Sequence, residues 1–418
     1  MNIPRHCPGW PLAAALAASV LALPSQAASL TLAEALRLAE DNAPSLAAEQ
    51  AKLQAASSAA IPAGELPDPQ LRLGVQNYPV GGPDRWSIDR DFMTMQMVGV
   101  MQEVPNRAKR QARVEVAEAA VERAAAEGTV ERLNVRQATA LAWIDRLAVE
   151  RQMVLFAEFF RENRLLAAAV QAQIAGGRGQ AADAVRPKQE AARLAEQQDE
   201  LAQLHVRARA ALRRWIGMAA DRPLAGDWPQ WTVEHARYSH QLPRHPALAV
   251  LEPMTREAQA KVREAQAEKK SDWSWELDYQ RRGREFGDMV GAQVSFDLPL
   301  FPGSRQDPKI AARYAELTQL EAEREALLRE HAQQLEEDLA DYQRLQRALQ
   351  RNSDSFVPLA REKVELSLAS YRAGKGDLLG VIAARQELIE ARLRQVELEA
   401  QRARTGARLY FAYGEERP

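Results

Sequence analysis

Two groups of side chains in this sequence have the chemistry to bind something. Met93, Met95, Met97 and Met101 fall at even spacing. In an extended strand alternate residues share a face, so the four thioethers form a row, and thioethers are soft ligands suited to Cu(I). The opposite face of the same stretch carries Thr94, Gln96 and Gln102, which suit a wet surface better. The methionine row is therefore expected on an apolar, lipid-contacting side. The second group is His235, His240 and His245, with Glu234 beside them. Imidazole suits zinc, copper and nickel, but a spacing of five does not stack ligands on one helical face, and no cysteine joins them. A surface linker explains them more simply, and no metal site or cofactor is expected. The patterns of phosphate loops, nucleophile elbows and zinc-protease helices are missing. The acidic residues alternate with Arg and Lys in the manner of solvated helix faces. The sequence is not that of an enzyme.

The rest of the composition says what must position such groups. The chain has 418 residues, 46% hydrophobic and 27% charged, with a formal net charge of -2 and only 6% aromatics. The balance of charge gives no reason to expect nucleic acid as a partner. Arg5 and His6 precede an apolar stretch from Leu12 to Leu23, followed by Ser25-Gln26-Ala27-Ala28, the layout of a secretory signal over residues 1–27. The single cysteine, Cys7, precedes that stretch, and Ala28 and Ser29 follow it, so an exported, unlipidated mature chain is expected. Beyond it no apolar run reaches the roughly 18 residues of a membrane helix, which leaves a β-barrel as the only route into a bilayer.

The chain repeats one plan twice. Ala175-Gly176-Gly177-Arg178-Gly179-Gln180 resembles Arg372-Ala373-Gly374-Lys375-Gly376-Asp377, and Gln189-Glu190 and Gly217 recur at the same offset as Gln386-Glu387 and Gly414. Val100 to Pro105 (VMQEVP) pairs with Val294 to Pro299 (VSFDLP), and Asp68, Leu73 and Gln76 pair with Asp272, Leu277 and Gln280. The expected division is a first repeat at 28–226, a linker at 227–245 and a second repeat at 246–418.

Each copy reads helix, strand, strand, long helix, turn, return helix. Thr31-Leu32-Ala33-Glu34 is a capping-box opening. Period-two alternation marks hairpins at 70–78/93–104 and 272–280/289–298. With apolar side chains toward lipid, the polar set Gln70, Arg72, Gln76, Thr94, Gln96, Gln102, Glu276, Asp278, Gln293 and Ser295 is expected to face a lumen. Four strands cannot close a barrel, and an open edge in lipid leaves backbone groups unpaired; three chains would supply twelve strands and a pore. From Arg107 to Ala175 there is no proline and one glycine, Gly128, which predicts a helix on the order of 100 Å long. Leu133, Ala140, Leu147 and Val154, and Leu328, Leu335, Tyr342, Leu349 and Phe356, recur every seven residues, the spacing of coiled-coil packing. Pro358 should kink the second long helix. Gly177, Gly179, Gly374 and Gly376 permit sharp reversals far from the strands, with Asp183 and Asp377 beside them.

In this order, LTLAEALRLAEDNAPSL (30–46), PDPQL (67–71), QEVPNRAKRQAR (102–113), DLPLF (297–301) and the two glycine turns resemble the TolC-like outer membrane factors over nearly the whole mature chain. That resemblance implies a homotrimer with a 12-strand barrel in the outer membrane and an α-helical coiled-coil barrel crossing the periplasm. It also implies tip turns that dock a periplasmic adaptor linked to an inner-membrane pump of the resistance–nodulation–division (RND) class. The stretch Met93 to Arg113 resembles the CzcC/CusC-type branch, which implies heavy-metal cargo. Some relatives carry an aspartate ring beyond the second tip turn; Gly380 and Ala383 stand at those places here, with Asp183 near the corresponding place in the first copy.

Overall fold

The structure, a computed structural model, describes residues 29–177, 179–233 and 235–414, leaving aside the side chains at 235, 237 and 244. The signal segment 1–27 lies outside the described residues. Nine helices and four strands are seen among them. The first copy comprises α1 (Leu32–Asn42), α2 (Pro44–Ala60), β1 (Gln70–Gln76), β2 (Met95–Val104), α3 (Arg107–Ala175) and α4 (Arg186–Ile216). A short helix, α5 (His235–Gln241), lies in the connection. The second copy comprises α6 (Pro246–Ala267), β3 (Trp273–Arg281), β4 (Met289–Phe296), α7 (Gln306–Arg351), α8 (Val357–Arg372) and α9 (Leu378–Leu409).

Local chemistry sets the boundaries. The Thr31 hydroxyl accepts from the Glu34 N–H to start α1. Asn106 caps α3 by accepting from the Lys109 N–H at 2.9 Å. The helix then runs 69 residues, uninterrupted because nothing in it lacks a backbone donor or strongly prefers another conformation. At Pro358 the helix is not regular. Residues Asn352–Phe356 widen into a π-turn, in which the Val357 N–H bonds to the Asn352 carbonyl. A bulge of this kind accommodates the donor that proline lacks and lets the helix go on as α8.

The main core joins the two copies. Trp143 and Ile144 of α3 pack with Leu212 and Ile216 of α4, Ala403 and Ala407 of α9, and Ala35 and Ala39 of α1. The alanines let the helix axes approach closely. Residues around Leu30 are stitched to the end of the first copy: Leu30 N–H donates to Pro223 O at 2.8 Å, and Ala225 N–H to Leu30 O at 3.1 Å. The Trp143 indole N–H reaches Leu30 O. Arg146 is buried beneath and donates to the carbonyls of Ala220 and Arg222 at 2.6 and 2.8 Å. Of the heptad residues, Ala140, Leu147 and Leu335 are buried, whereas Val154 and Phe356 remain exposed.

The strands form one antiparallel sheet in the order β1-β2-β3-β4, so β1 and β4 are its two edges. None of the described helices is long and apolar enough to cross a membrane.

Candidate functional site: the strand sheet and the helical tips

Register decides which side chains share a face. Directly opposite residues in an antiparallel pair lie on the same side. Leu71 faces Val100, which faces Leu277, which faces Ala292; Leu73, Val98, Tyr279 and Val290 make the next row. With Trp273, Trp275, Val294 and Phe296 they form one apolar face, and nearly all of it is exposed. The other face carries Gln70, Arg72 and Gln76 of β1, Glu276, Asp278 and Gln280 of β3, and Gln293 and Ser295 of β4.

For β2 this register reverses the expected assignment. Met95, Met97 and Met101 pair with Gln76, Gly74 and Gln70, and Met97 and Met101 also with Gln280 and Glu276. The methionines therefore belong to the polar face. Gln96 and Gln102 belong to the apolar one, opposite Val75 and Trp275. The physical reason is position along the strand: both glutamines lie near its ends, and the apolar centre is Val98 and Val100. The Gln102 amide turns back to the carbonyls of Pro67 and Glu103 at 2.6 and 2.9 Å. Met93 and Thr94 precede the strand and belong to neither face. Thr94 is buried, its hydroxyl donating to Asn77 O, and the Met93 N–H is held by Asp91.

The polar face is tightly built at its centre. Arg72 bonds Glu276 at 2.7 Å across the intervening strand. Asp278 lies between two glycines on its neighbours: a Cβ at Gly99 would stand 2.9 Å from the Asp278 Cβ, and one at Gly291 2.6 Å from its Oδ1. The absent side chains leave room for that carboxylate, which also accepts from Gln280 at 2.5 Å.

The two tips share one design. Gly177 and Gly374 have φ of +71° and +72°, with open space where a side chain would be, so conformation selects glycine there. Gly179 and Gly376 instead lie close against the incoming helix. A Cβ at Gly179 would meet the Ile174 side chain at 3.0 Å, and one at Gly376 would meet Ser370 Cβ at 3.2 Å. The neighbouring carboxylates are engaged locally. Asp377 caps α9 by accepting from the Gly380 N–H at 2.9 Å. Asp183 accepts from the Gln180 N–H at 3.2 Å and lies 3.7 Å from Arg186.

One cluster behind the tips went unread in the sequence. Arg385 of α9 is buried, with Glu190 of α4 at 3.7 Å and Glu162 of α3 at 3.8 Å. Burial pushes the Glu190 carboxyl up, against the pull of Arg385. The available signal was a charged residue in the stripe Val381-Arg385-Ile389, whose other members are buried and apolar.

Among the described residues no convergence of the linker histidines is seen. His240 is exposed, and the side chain of His235 lies outside the described residues. His245 is the N-cap of α6, its Nδ1 accepting from the Ala247 N–H at 3.2 Å. Its ring stacks on that of His331 of α7, with centroids 3.8 Å apart. Burial and the neighbouring His331 lower its pKa to about 4. No cluster of three or more His, Cys, Asp or Glu side chains able to hold a metal occurs among the described residues.

Comparison with known proteins agrees with this geometry. Residues 238–415 match the family model described as outer membrane efflux protein. The second half of the chain is thus similar to outer membrane efflux proteins. Solved structures extend the likeness to the fold of the whole. The outer membrane protein VceC of Vibrio cholerae is 19% identical, with a TM-score of 0.77 over 92% of this chain and 96% of that one. CusC is 15% identical, with the same score over 92% of each chain. The open-state MtrE outer membrane channel of Neisseria gonorrhoeae is 18% identical, with a TM-score of 0.74 over 92% of this chain and 88% of its own. No curated protein matches the sequence. The fold is TolC-like: mainly helical, with four antiparallel strands.

Proposed function

We propose that this chain is the outer-membrane exit duct of a tripartite efflux assembly, a homotrimer whose three sheets close a 12-strand barrel. The observation that carries the reading is the exposed apolar face of the sheet, lined by Trp273, Trp275, Leu277, Tyr279, Val290 and Phe296, with an open strand on either side of it. An apolar face with this alternation is the kind that a membrane barrel turns to lipid, and open edges in lipid require partner strands. The polar face, with Arg72, Glu276, Asp278, Gln293 and Ser295, then lines the lumen. The long helices cross the periplasm, and the turns at Gly177 and Gly374 meet the periplasmic adaptor of an inner-membrane RND pump. The chain reaches this place by its leader at 1–27, without lipidation.

Heavy-metal cations are the proposed cargo, on the resemblance of the stretch Met93 to Arg113. Drug efflux is the competing reading, since the fold is as similar to the outer membrane protein VceC as it is to CusC. Deleting the gene and comparing growth on graded copper, silver, zinc, cobalt, cadmium and nickel with growth on organic drugs separates the two. Selective metal sensitivity, restored by the wild-type gene, is expected. Sensitivity to drugs alone refutes the metal cargo and keeps the duct, while recovery of the protein in the soluble periplasmic fraction refutes the duct.

A further inference from the structure

The joint between barrel and helices is built twice in the sequence but completed only once within a single chain. In the first copy, Asp272, just ahead of β3, hooks the junction between β2 and α3. Its carboxylate accepts from the Asn106 backbone N–H at 2.7 Å, from the Asn106 side chain at 2.8 Å and from Lys109 Nζ at 2.8 Å. The strand that follows the hook is thereby locked to the helix that leaves its neighbour. In the second copy the corresponding junction lies between β4 and α7; Leu300 aligns with Asn106 there, and Arg305 is the residue that directly precedes the helix. No carboxylate ahead of a following strand reaches it, because β4 is the last strand of the chain and forms the edge of the sheet.

The residue that repeats Asp272 is Asp68, just ahead of β1, on the opposite edge. Asp68 is exposed and has no ion pair or side-chain hydrogen bond among the described residues; the same holds for Arg305. Three strand spacings separate the two edges, roughly 14 Å, so they do not meet within one chain. Beside Arg305 lies a polar recess of about 460 Å³, lined by Lys109, Lys270, Asp272, Asp297, Arg305 and Lys309. Lys109 and Lys309 are paired with Asp272 and Glu268. Lys270 and Arg305 are left facing the single free carboxylate of Asp297, which leaves one positive charge over.

We propose that Asp68 of one protomer docks on Arg305 of the next, repeating between chains the hook that Asp272 makes within one. The occupant is a second copy of this chain, brought there when β1 of one protomer pairs with β4 of its neighbour; this rests on the multi-chain barrel proposed above. The contact fixes the register of the strand seam and joins each barrel edge to the adjacent helix. It also accounts for the sequence Pro67-Asp68-Pro69: two prolines hold the segment extended and hand the Asp68 carboxylate outward rather than into a helix.

Charge exchange tests it. Asp68→Arg and Arg305→Asp are each expected to lower the temperature at which detergent-solubilised trimers fall to monomers on a gel, and the double exchange to recover most of the loss. In a Cys7→Ser background, Asp68→Cys with Arg305→Cys should give covalent dimers and trimers with a short bis-maleimide, and neither single cysteine should. Trimers that form normally, yet show neither rescue nor inter-chain cross-linking, overturn the hook and leave the duct intact. Wild-type protein that forms no trimer overturns both.

Discussion

The stacked pair His245 and His331 makes the junction of α6 and α7 sensitive to acid, and the size of the effect follows from its surroundings. His245 caps α6 through a lone pair on Nδ1, so its neutral form is the one the fold uses. Among the described residues no carboxylate bonds either ring. Tyr413 lies 5.2 Å away across the ring, and its hydroxyl donates to the His331 backbone carbonyl. Glu330, on the same helix as His331, is the one acid that favours protonation of that ring, and burial outweighs it. A base whose folded pKa is depressed stays neutral in the native state while the unfolded chain takes up a proton. Stability is therefore kept above pH 6.5 and falls as pH drops toward the folded value. With 6.5 unfolded and about 4 folded, the loss from pH 7 to pH 4.5 is about 2.4 kcal/mol per protomer. Solvent reaching the half-buried rings reduces it to about 1–2 kcal/mol.

The assay is thermal dissociation of the purified protein in detergent at pH 7 and pH 4.5, for wild type and His245→Asn. Asparagine keeps a side-chain acceptor at the cap and removes the titrating group. The variant should start slightly less stable at pH 7, for want of the ring stack, and lose less than half as much on acidification. An equal acid loss in both proteins would refute the stack as its origin.

Three further perturbations address the tips, the cluster behind them and the methionine row. Gly374→Val should cost about 1–2 kcal/mol locally, because a branched residue resists positive φ, and should abolish efflux while trimers still form; Gly374→Asn, which tolerates that conformation, should be milder in the same growth assay. Gly376→Val should also abolish efflux, through its approach to Ser370, and unchanged efflux in both valine variants counts against docking at the tips. Arg385→Met should destabilise by about 3 kcal/mol, since it leaves Glu190 buried without its cation, whereas Glu190→Gln should be near neutral in the same melts. Replacing Met95, Met97 and Met101 together with leucine should leave metal tolerance unchanged, because a wet pore conducts without ligands; lost copper or silver tolerance at normal protein levels would show that the thioethers touch the cargo.

Much of the scaffold was legible because it is written in residues with few conformational choices. The bounds of α3 follow from the Pro105-Asn106 stop and the glycines at 176 and 177, with nothing in between to break the helix. The glycine turns and the strand ends recur in the sequence itself, so they can be read without any knowledge of packing. The buried Arg385 was harder to see, because an arginine on a coiled-coil helix is ordinarily solvated. Only the meeting of α3, α4 and α9 removes water from it.

The faces of β2 show where such reading stops. Alternation establishes that Met95, Met97 and Met101 oppose Gln96 and Gln102, and that much held. Which set shares a face with Arg72 depends on pairing with β1, and a shift of one residue exchanges the faces entirely. That pairing brings the apolar centre of β2, Val98 and Val100, onto the face of Leu71, Leu73, Leu277 and Tyr279. Polarity alone misleads here, because its meaning changes along the strand. Gln102, near one end and bonded to Pro67 O, is accommodated on the apolar face. At the centre the rule is strict: Val98 and Val100 lie on one side, and on the other Gly99 yields its space to Asp278. The sheet's centre therefore carries the usable signal. A glycine flanked by alternating apolar residues, as in Val98-Gly99-Val100, marks the polar face by what its neighbour strand places over it.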